Sequence, residues 1–245
     1  MGGRGKPPKR ALIELYARLF KAFGRQHWWP GETPFEVIVG AILTQNTNWG
    51  NVEQAIGNLK RKRKLSPQAL NKITHSSLSS LIRPAGYFNV KAKRLKNFIS
   101  FLFKEYQGDL DRMAGEDHLQ LRKKLLGVNG IGPETADSIL LYAFGKPVFV
   151  VDAYTKRVLY RHNLVGMEDD YHAIQDMFTG SLKKDVRTFN EYHALIVRLG
   201  KDFCKPKPRC GECVLKNFHY SLVEKCGTCH RALPDKQDQK YRDGI

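Results

Sequence analysis

The sequence predicts an all-α fold, and three observations support it. Apolar residues recur along most of the chain at the three- and four-residue spacing of helices, strand-like runs are rare, and prolines stand at the ends of the periodic segments. The main strand-like run, from Val148 to Val151, is short. The predicted helices are 10–24, 33–46, 50–62, 66–72, 76–82, 89–106, 118–126, 133–144, 152–162, 169–180 and 185–200.

Local signals delimit these helices in order. After a basic N-terminal stretch, an amphipathic pattern from Ala11 to Phe23 predicts the first helix. The prolines at later boundaries are Pro30, Pro34, Pro84, Pro133 and Pro147. From Lys201 onward helical spacing is lost, and prolines, lysines and five cysteines predict a loop-rich tail that an external group must organise.

Length and composition limit the class of protein. A chain of 245 residues with 42% hydrophobic residues can form one large domain or two smaller lobes with a substantial core. Its formal net charge of +17 favours polyanionic partners, of which nucleic acid is the commonest. No apolar run is long enough for a membrane span, and no signal-like apolar segment follows the basic N-terminus, so we expect an intracellular protein.

A glycine turn separates the predicted helices 118–126 and 133–144. Glycines allow a tight turn, and Pro133 follows at a first helical position, where its missing N–H costs no hydrogen bond. Such a turn presents backbone N–H groups at a helix N-terminus, which suits a phosphate of a nucleic-acid backbone. The candidate backbone contacts are Asn129, Gly130, Gly132 and Thr135, with Lys91, Lys93 and Arg94 as further candidates on what is otherwise a solvated basic face.

The run LGVNGIGPETA at 126–136, followed by Asp152, resembles the helix-hairpin-helix DNA glycosylases of the endonuclease III superfamily. The resemblance extends over most of the chain and implies a two-lobed all-α fold. It places a six-helix lobe ending in the hairpin at 33–140, and a second lobe with a cysteine-rich, metal-binding C-terminal loop at 1–32 plus 141–245. The implied partner is double-stranded DNA containing damaged bases, and we expect a monomer.

Asp152 is the candidate catalytic residue. It follows an apolar run and opens a predicted helix, which is also the position of an N-cap. Cleavage of an N-glycosidic bond develops positive charge on the sugar, and a nearby carboxylate can stabilise that charge or activate the attacking water. The resemblance implies this role, which spacing alone would not.

Two positions narrow the expected reaction. Family members that also cut the strand carry a lysine just after the hairpin, and Glu134 stands at the matching position. Because a glutamate cannot form a Schiff base with the sugar, we expect a monofunctional glycosylase. The adenine-specific branch has a glutamate in its early helix where this chain has Ala41, which disfavours adenine-mispair repair.

The segment from Pro34 to Trp49, with Trp28 and Trp29 upstream, resembles the bacterial 3-methyladenine DNA glycosylase III group. That resemblance makes the three tryptophans candidates for stacking on an extruded base, and Gln45 the candidate wedge that fills the gap left in the duplex. Electron-rich aromatic faces favour a cationic base such as an alkylated purine. Anchoring the core or the interface between the lobes is the alternative role of Trp28, Trp29 and Trp49.

The tail suggests a metal centre, whose candidate ligands are Cys204, Cys210, Cys213, Cys226, Cys229 and His219. The first three resemble the iron–sulfur loop of endonuclease III, in which four thiolates hold a [4Fe–4S] cluster. The family's fourth cysteine would fall at His219, so that residue or one of the last two cysteines would complete the set. Alternatively, the last four cysteines form two C-x2-C knuckles of a structural Zn²⁺ site. Position favours iron–sulfur.

The implied function is excision of alkylated purines, 3-methyladenine first, from DNA. Two alternatives stay open. One is an endonuclease III-like glycosylase for oxidised pyrimidines or mismatched bases. The other is a non-catalytic DNA-binding module that uses only the hairpin.

Overall fold

A computed structural model describes residues 9–218, in which helices are joined by turns and loops and no β-strand occurs. Its α-helices are α1 (Lys9–Phe23), α2 (Pro34–Leu43), α3 (Trp49–Arg61), α4 (Pro67–Lys72), α5 (His75–Leu81), α6 (Phe88–Tyr106), α7 (Leu110–Gly115), α8 (His118–Leu126), α9 (Pro133–Ser138), α10 (Ala153–Arg161), α11 (Tyr171–Ser181) and α12 (Val186–Asp202). Short 3-10 turns lie at Arg83–Ala85 and Cys210–Glu212, and a π-helical turn, Ile139–Ala143, continues α9. The all-α prediction is confirmed.

The described chain forms two compact units. One contains residues 9–28 and 147–218, and the other contains residues 29–146. The lobe limits predicted from the sequence, residues 33 and 140, fall a few residues inside the second unit and remain a prediction.

Helix α2 forms the centre of its unit. Its residues from Phe35 to Leu43 are all buried, and Thr33 caps it by accepting the Glu36 N–H at 3.2 Å. It packs against α3, α6, α9 and the π-helical turn. Apart from Glu36 it is apolar, but it has only ten residues, and no helix in the described part of the chain is long and apolar enough to cross a membrane.

Helix α12 is the main core helix of the other unit. It packs against α10 and α1, and its buried face includes Phe189, Tyr192 and Leu195. The Tyr192 hydroxyl donates to the Leu12 carbonyl at 2.8 Å and thereby joins α12 to α1 through a satisfied buried polar group. Helices α10 and α12 carry the polar side chains on which the candidate active site depends.

Two local features differ from the sequence-based expectation. Helix α7 is not predicted. It buries only Met113, and, unlike the equally short α4, it has no proline in its first turn to mark where it begins. The run Val148–Val151 is buried but is not a strand. The Phe149 carbonyl accepts from Gln175 Nε2 at 2.7 Å, and the Val151 N–H donates to the Tyr171 hydroxyl at 3.4 Å. Side chains of α11 therefore bind main-chain groups that a partner strand would otherwise satisfy.

Candidate active site

The predicted glycine hairpin joins α8 to α9. Ile131 is buried at its centre, and its N–H donates to the Val128 carbonyl at 3.0 Å. Gly130 has a φ of +96°, a conformation that side chains disfavour. A Cβ there would also overlap the aliphatic part of Arg94. Glycine at 130 is therefore a requirement of the fold.

Gly132 differs from Gly130. Its φ of −92° is open to any residue, and a Cβ at this position would meet no atom within 4 Å. It caps α9 without a side-chain hydrogen bond, so the first N–H groups of that helix are presented by main chain alone. Asn129 is exposed beside it. The fold does not require glycine at position 132. The absence of a side chain there would let a DNA phosphate approach closely, as the sequence predicts.

Gln45 is bonded to the hairpin. Its Nε2 donates to the Gly130 carbonyl at 3.0 Å and to Thr135 Oγ1 at 2.8 Å, and its Oε1 accepts from Arg94. Thr135 is buried, so a phosphate contact there would use its main-chain N–H. To act as a wedge, Gln45 would have to exchange these bonds for contacts with DNA, and that role stays a prediction.

Lys91 does not extend to solvent as a phosphate contact would. It is 1% exposed, and its Nζ donates to the Ala85 carbonyl at 2.7 Å. Burial, and then the charge of Arg94, lower the pKa of Lys91 to about 8. Lys93 is exposed on the same helix. Lys91 stands four residues before Leu95, on the buried face of α6, so helical spacing is the signal that separates it from Lys93.

Trp29 and Trp49 lie together in one unit. Their rings meet edge to face with centroids 5.3 Å apart, and the Tyr142 ring lies 5.0 Å from that of Trp29. A Cβ on Gly40 would be 3.4 Å from both Trp29 Nε1 and Trp49 Cη2, an ordinary contact distance, so both indoles lie directly against this residue of α2. Tyr142 lies on the π-helical turn and is not predicted from the sequence, where it reads as one more apolar helical position.

Trp28 belongs to the other unit. The Nζ of Lys201, near the end of α12, lies 5.6 Å from the Trp28 ring, at cation–π distance. The Trp28 ring therefore already lies against a cationic side chain. Its role in stacking on a base stays a prediction.

Asp152 is the buried N-cap of α10, with 9% of its surface exposed. Its Oδ1 accepts from the Thr155 N–H at 2.7 Å and from Thr155 Oγ1 at 2.8 Å. Its Oδ2 lies 3.4 Å from His193 Nε2 on α12. Burial raises the pKa of this carboxyl, but His193 and the Thr155 hydrogen bonds more than offset it, so the pKa of Asp152 lies below its ordinary value. Asp152 is thus held as a carboxylate.

His193 is absent from the sequence-based candidates. It lies in an amphipathic helix among apolar residues, 41 positions after Asp152 along the chain, and no motif joins the two. Only the packing of α10 against α12 brings them together.

Three of the predicted metal ligands lie within the described residues. Cys204, Cys210 and Cys213 form no disulfide within the described residues. Burial, followed by the neighbouring Cys204 and Cys210, raises the pKa of Cys213. Within residues 9–218 no three His, Cys, Asp or Glu side chains gather closely enough to hold an ion. His219, Cys226 and Cys229 lie outside the described residues.

Comparison with known proteins agrees with this geometry. Residues 39–184 match the family described as HhH-GPD superfamily base excision DNA repair protein. A Methanocaldococcus jannaschii protein provisionally named a DNA repair glycosylase is 48% identical over 84% of this chain and 94% of its own. Endonuclease III of Thermotoga maritima is 31% identical over 84% of this chain and 91% of its own.

A solved structure adds a three-dimensional match. The H. pylori 3-methyladenine DNA glycosylase, bound to 1,N6-ethenoadenine, superposes with a TM-score of 0.66 and 28% identity over 78% of this chain and 97% of that one. The match to the family covers more than half of the sequence, and the relatives cover most of it. The chain belongs to the HhH-GPD superfamily of base excision DNA repair proteins and is a DNA glycosylase.

Proposed function

We propose that the protein hydrolyses the N-glycosidic bond of alkylated purines in double-stranded DNA, with 3-methyladenine as its first substrate, and that it does not cut the strand. The proposed hydrolysis rests on one observation, the buried carboxylate of Asp152 at the start of α10. Thr155 and His193 keep this carboxylate ionised. A fixed negative charge in a site of low exposure is a strong electrostatic catalyst.

Asp152 would act on the sugar. As the bond from C1′ to the base nitrogen breaks, its electron pair leaves with the base and positive charge develops on the sugar ring. The carboxylate stabilises this charge while water adds to C1′ and loses a proton to the surrounding water. A depressed pKa makes Asp152 a weak base, so we assign it electrostatic stabilisation before proton abstraction.

The aromatic cluster of Trp29, Trp49 and Tyr142 supports an alkylated purine as the substrate. Its π-faces favour a cationic base, and a cationic base is already a good leaving group that needs no strong general acid. The H. pylori relative is named for 3-methyladenine and binds an ethenoadenine. The aromatic cluster and the H. pylori relative therefore both support alkylated purines as substrates, which the site would select by shape and stacking.

Glu134 supports hydrolysis without strand cleavage. It is exposed on the first turn of α9, at the position where strand-cutting relatives would carry a lysine, and its carboxylate cannot form an imine with the sugar. Water is then the only nucleophile in the scheme. The product is an intact strand with an abasic site.

The hairpin would bind the DNA backbone through the main-chain N–H groups of Asn129, Gly130, Gly132 and Thr135, assisted by the +17 charge of the chain. This mode of binding carries little sequence information, as a repair enzyme that surveys any sequence requires. The bound DNA would be double-stranded, because the target base is extruded from a duplex.

The cysteine loop would hold a [4Fe–4S] cluster through Cys204, Cys210 and Cys213 plus His219 or one of the two later cysteines, with structural Zn²⁺ as the alternative. The donor chemistry fits, since no disulfide ties up the three described cysteines. The Arg161 guanidinium also lies 3.3 Å from Cys204 Sγ, where it would stabilise a thiolate. When bound, such a group supplies folding energy to a segment with little core of its own.

The runner-up is an endonuclease III-like glycosylase for oxidised pyrimidines or mismatched bases, which the 31% identity to the Thermotoga maritima enzyme favours. One experiment separates the two. Duplexes with 3-methyladenine, ethenoadenine, thymine glycol or a G·T mismatch are incubated with wild type and Asp152→Asn. We expect release of 3-methyladenine by wild type only. Release of thymine glycol alone, or a borohydride-trapped adduct formed as fast as excision, would promote the runner-up.

A further inference from the structure

We propose that His193 is a positioning residue for the glycosylase reaction: its Nε2–H holds Oδ2 of Asp152 and fixes where the negative charge lies. This role acts through Asp152 and therefore rests on the proposed function. It adds a residue of α12 that neither the hairpin motif nor the matched family description assigns.

The two carboxylate oxygens are held from different helices. Oδ1 accepts both hydrogen bonds of Thr155, which belongs to α10 itself. Oδ2 faces Nε2 of His193 at 3.4 Å, a contact within ion-pair distance but long for a hydrogen bond. Contacts of catalytic groups often tighten only when substrate is bound. Thr155 sets the rotation of the carboxylate, and His193 would set the charge on its remaining oxygen.

The His193 ring has little freedom to turn away. It is 4% exposed and packs edge to face near Phe149, with ring centroids 6.5 Å apart. Helix α10 is fixed to α12 by Arg157, which donates to the carbonyls of Gly200 and Cys204 at 3.2 and 2.6 Å. The distance between Asp152 and His193 is therefore a property of the packed helix pair rather than of mobile side chains.

Single-turnover release of 3-methyladenine from methylated duplex DNA tests this role with three variants. His193→Gln keeps an N–H donor near Nε2, His193→Asn ends short of it, and His193→Leu has none. Loss of a hydrogen bond to a charged group predicts a rate about 10- to 100-fold lower for Leu and Asn, with Gln restoring most of it. Binding of abasic duplex should stay the same in all three.

Tyr192→Phe is the matched control, because it removes a buried hydrogen bond from the same helix without touching Asp152. It should lower the melting temperature while leaving the excision rate near that of wild type. If the excision rate falls in proportion to the melting temperature in every variant, His193→Gln included, the positioning role is overturned and His193 serves only the packing of the fold.

Two further readouts separate this role from the proposed function. If His193 acts through Asp152, the double variant Asp152→Asn, His193→Leu should be no slower than Asp152→Asn alone. If His193→Leu excises the base at the wild-type rate while Asp152→Asn is inactive, only the role of His193 is overturned. If Asp152→Asn is fully active, the role of His193 and the proposed function are both overturned. Independently of activity, Asp152→Asn should shift the His193 Nε2 resonance in ¹H–¹⁵N spectra of the imidazole, and an unshifted resonance would contradict the contact.

Discussion

Arg94 occupies the space in which a side chain of residue 130 would lie. Its aliphatic carbons pack over Gly130, while its guanidinium donates to Gln45. The hairpin is thus held from α6, where Asn97 also donates to the Asn129 carbonyl at 2.9 Å. The two hairpin glycines consequently have different reasons to be glycine, and they can be tested as a pair.

Gly130→Ala should lower the stability of the fold, and Gly132→Ala should weaken DNA binding. The first forces a Cβ into Arg94 at a positive φ, at a cost of roughly 1–3 kcal/mol of unfolding free energy. The second leaves stability within about 0.5 kcal/mol of wild type but keeps a phosphate away from the N–H groups of α9. Urea unfolding and titration with an abasic duplex measure the two effects. Equal loss of stability in both variants would show that Gly132 is also structural.

Trp49→Ala should slow base excision. Removing one aromatic face from the cluster should raise the activation free energy by about 1–3 kcal/mol, the range for stacking of a base on an aromatic side chain. Trp49→Phe keeps a π-face and should lose less. Single-turnover kinetics on methylated duplex DNA and thermal melting of each variant provide the measurement. If Trp49→Ala is destabilised but excises the base at the wild-type rate, Trp49 is a core residue and does not stack on the base.

Cys204→Ala distinguishes the two metal centres. An iron–sulfur cluster that uses Cys204 should give a brown protein under anaerobic purification, with about four iron atoms per chain that the variant loses. A zinc site built from the last four cysteines would leave the variant with about one zinc per chain. Metal analysis of wild type and Cys204→Ala decides between them. Neither metal in the wild-type protein would contradict both.

The sequence predicts the helices well because each long one buries a periodic apolar face. Helix α6 illustrates this, since its buried residues recur at helical spacing: Ala92, Leu95, Phe98, Ile99, Leu102 and Tyr106. Six residues with one buried side chain carry no period. The equally short α4 is predicted from the proline at its start, and α7, which buries only Met113, has no such mark. Val148–Val151 reads as a strand for its composition, yet its main chain is satisfied by side chains of α11.

The candidate site is predictable only where local motifs mark it. The hairpin and Asp152 lie within one short stretch whose glycines and apolar run are visible in the sequence. His193 and Tyr142 carry no such mark, because each reads as an ordinary position of an apolar helix. Their proximity to Asp152 and to Trp29, respectively, depends on helix packing within each unit, which the sequence pattern does not encode.

Lys91 should make the stability of the fold depend on alkaline pH. Its pKa is about 8 in the folded protein and 10.5 ordinarily, so between these values the unfolded chain binds more protons than the folded one. Stability contributed by this residue therefore rises as pH increases through that window, while below pH 8 the full cost of burying the ammonium is present. The neutral amine can still donate to the Ala85 carbonyl, so the hydrogen bond survives deprotonation.

The measurement is the unfolding free energy of wild type and Lys91→Met across the same pH range. The unfolding free energy of wild type minus that of Lys91→Met should increase with pH by on the order of 2 kcal/mol. A tenfold change in proton affinity corresponds to about 1.4 kcal/mol, and partial hydration of the amine reduces the total. Lys93→Met, an exposed neighbour on α6, is the matched control for general effects of alkaline pH. If both variants follow wild type with the same slope, the ammonium of Lys91 is hydrated in the folded protein and its burial does not govern alkaline stability.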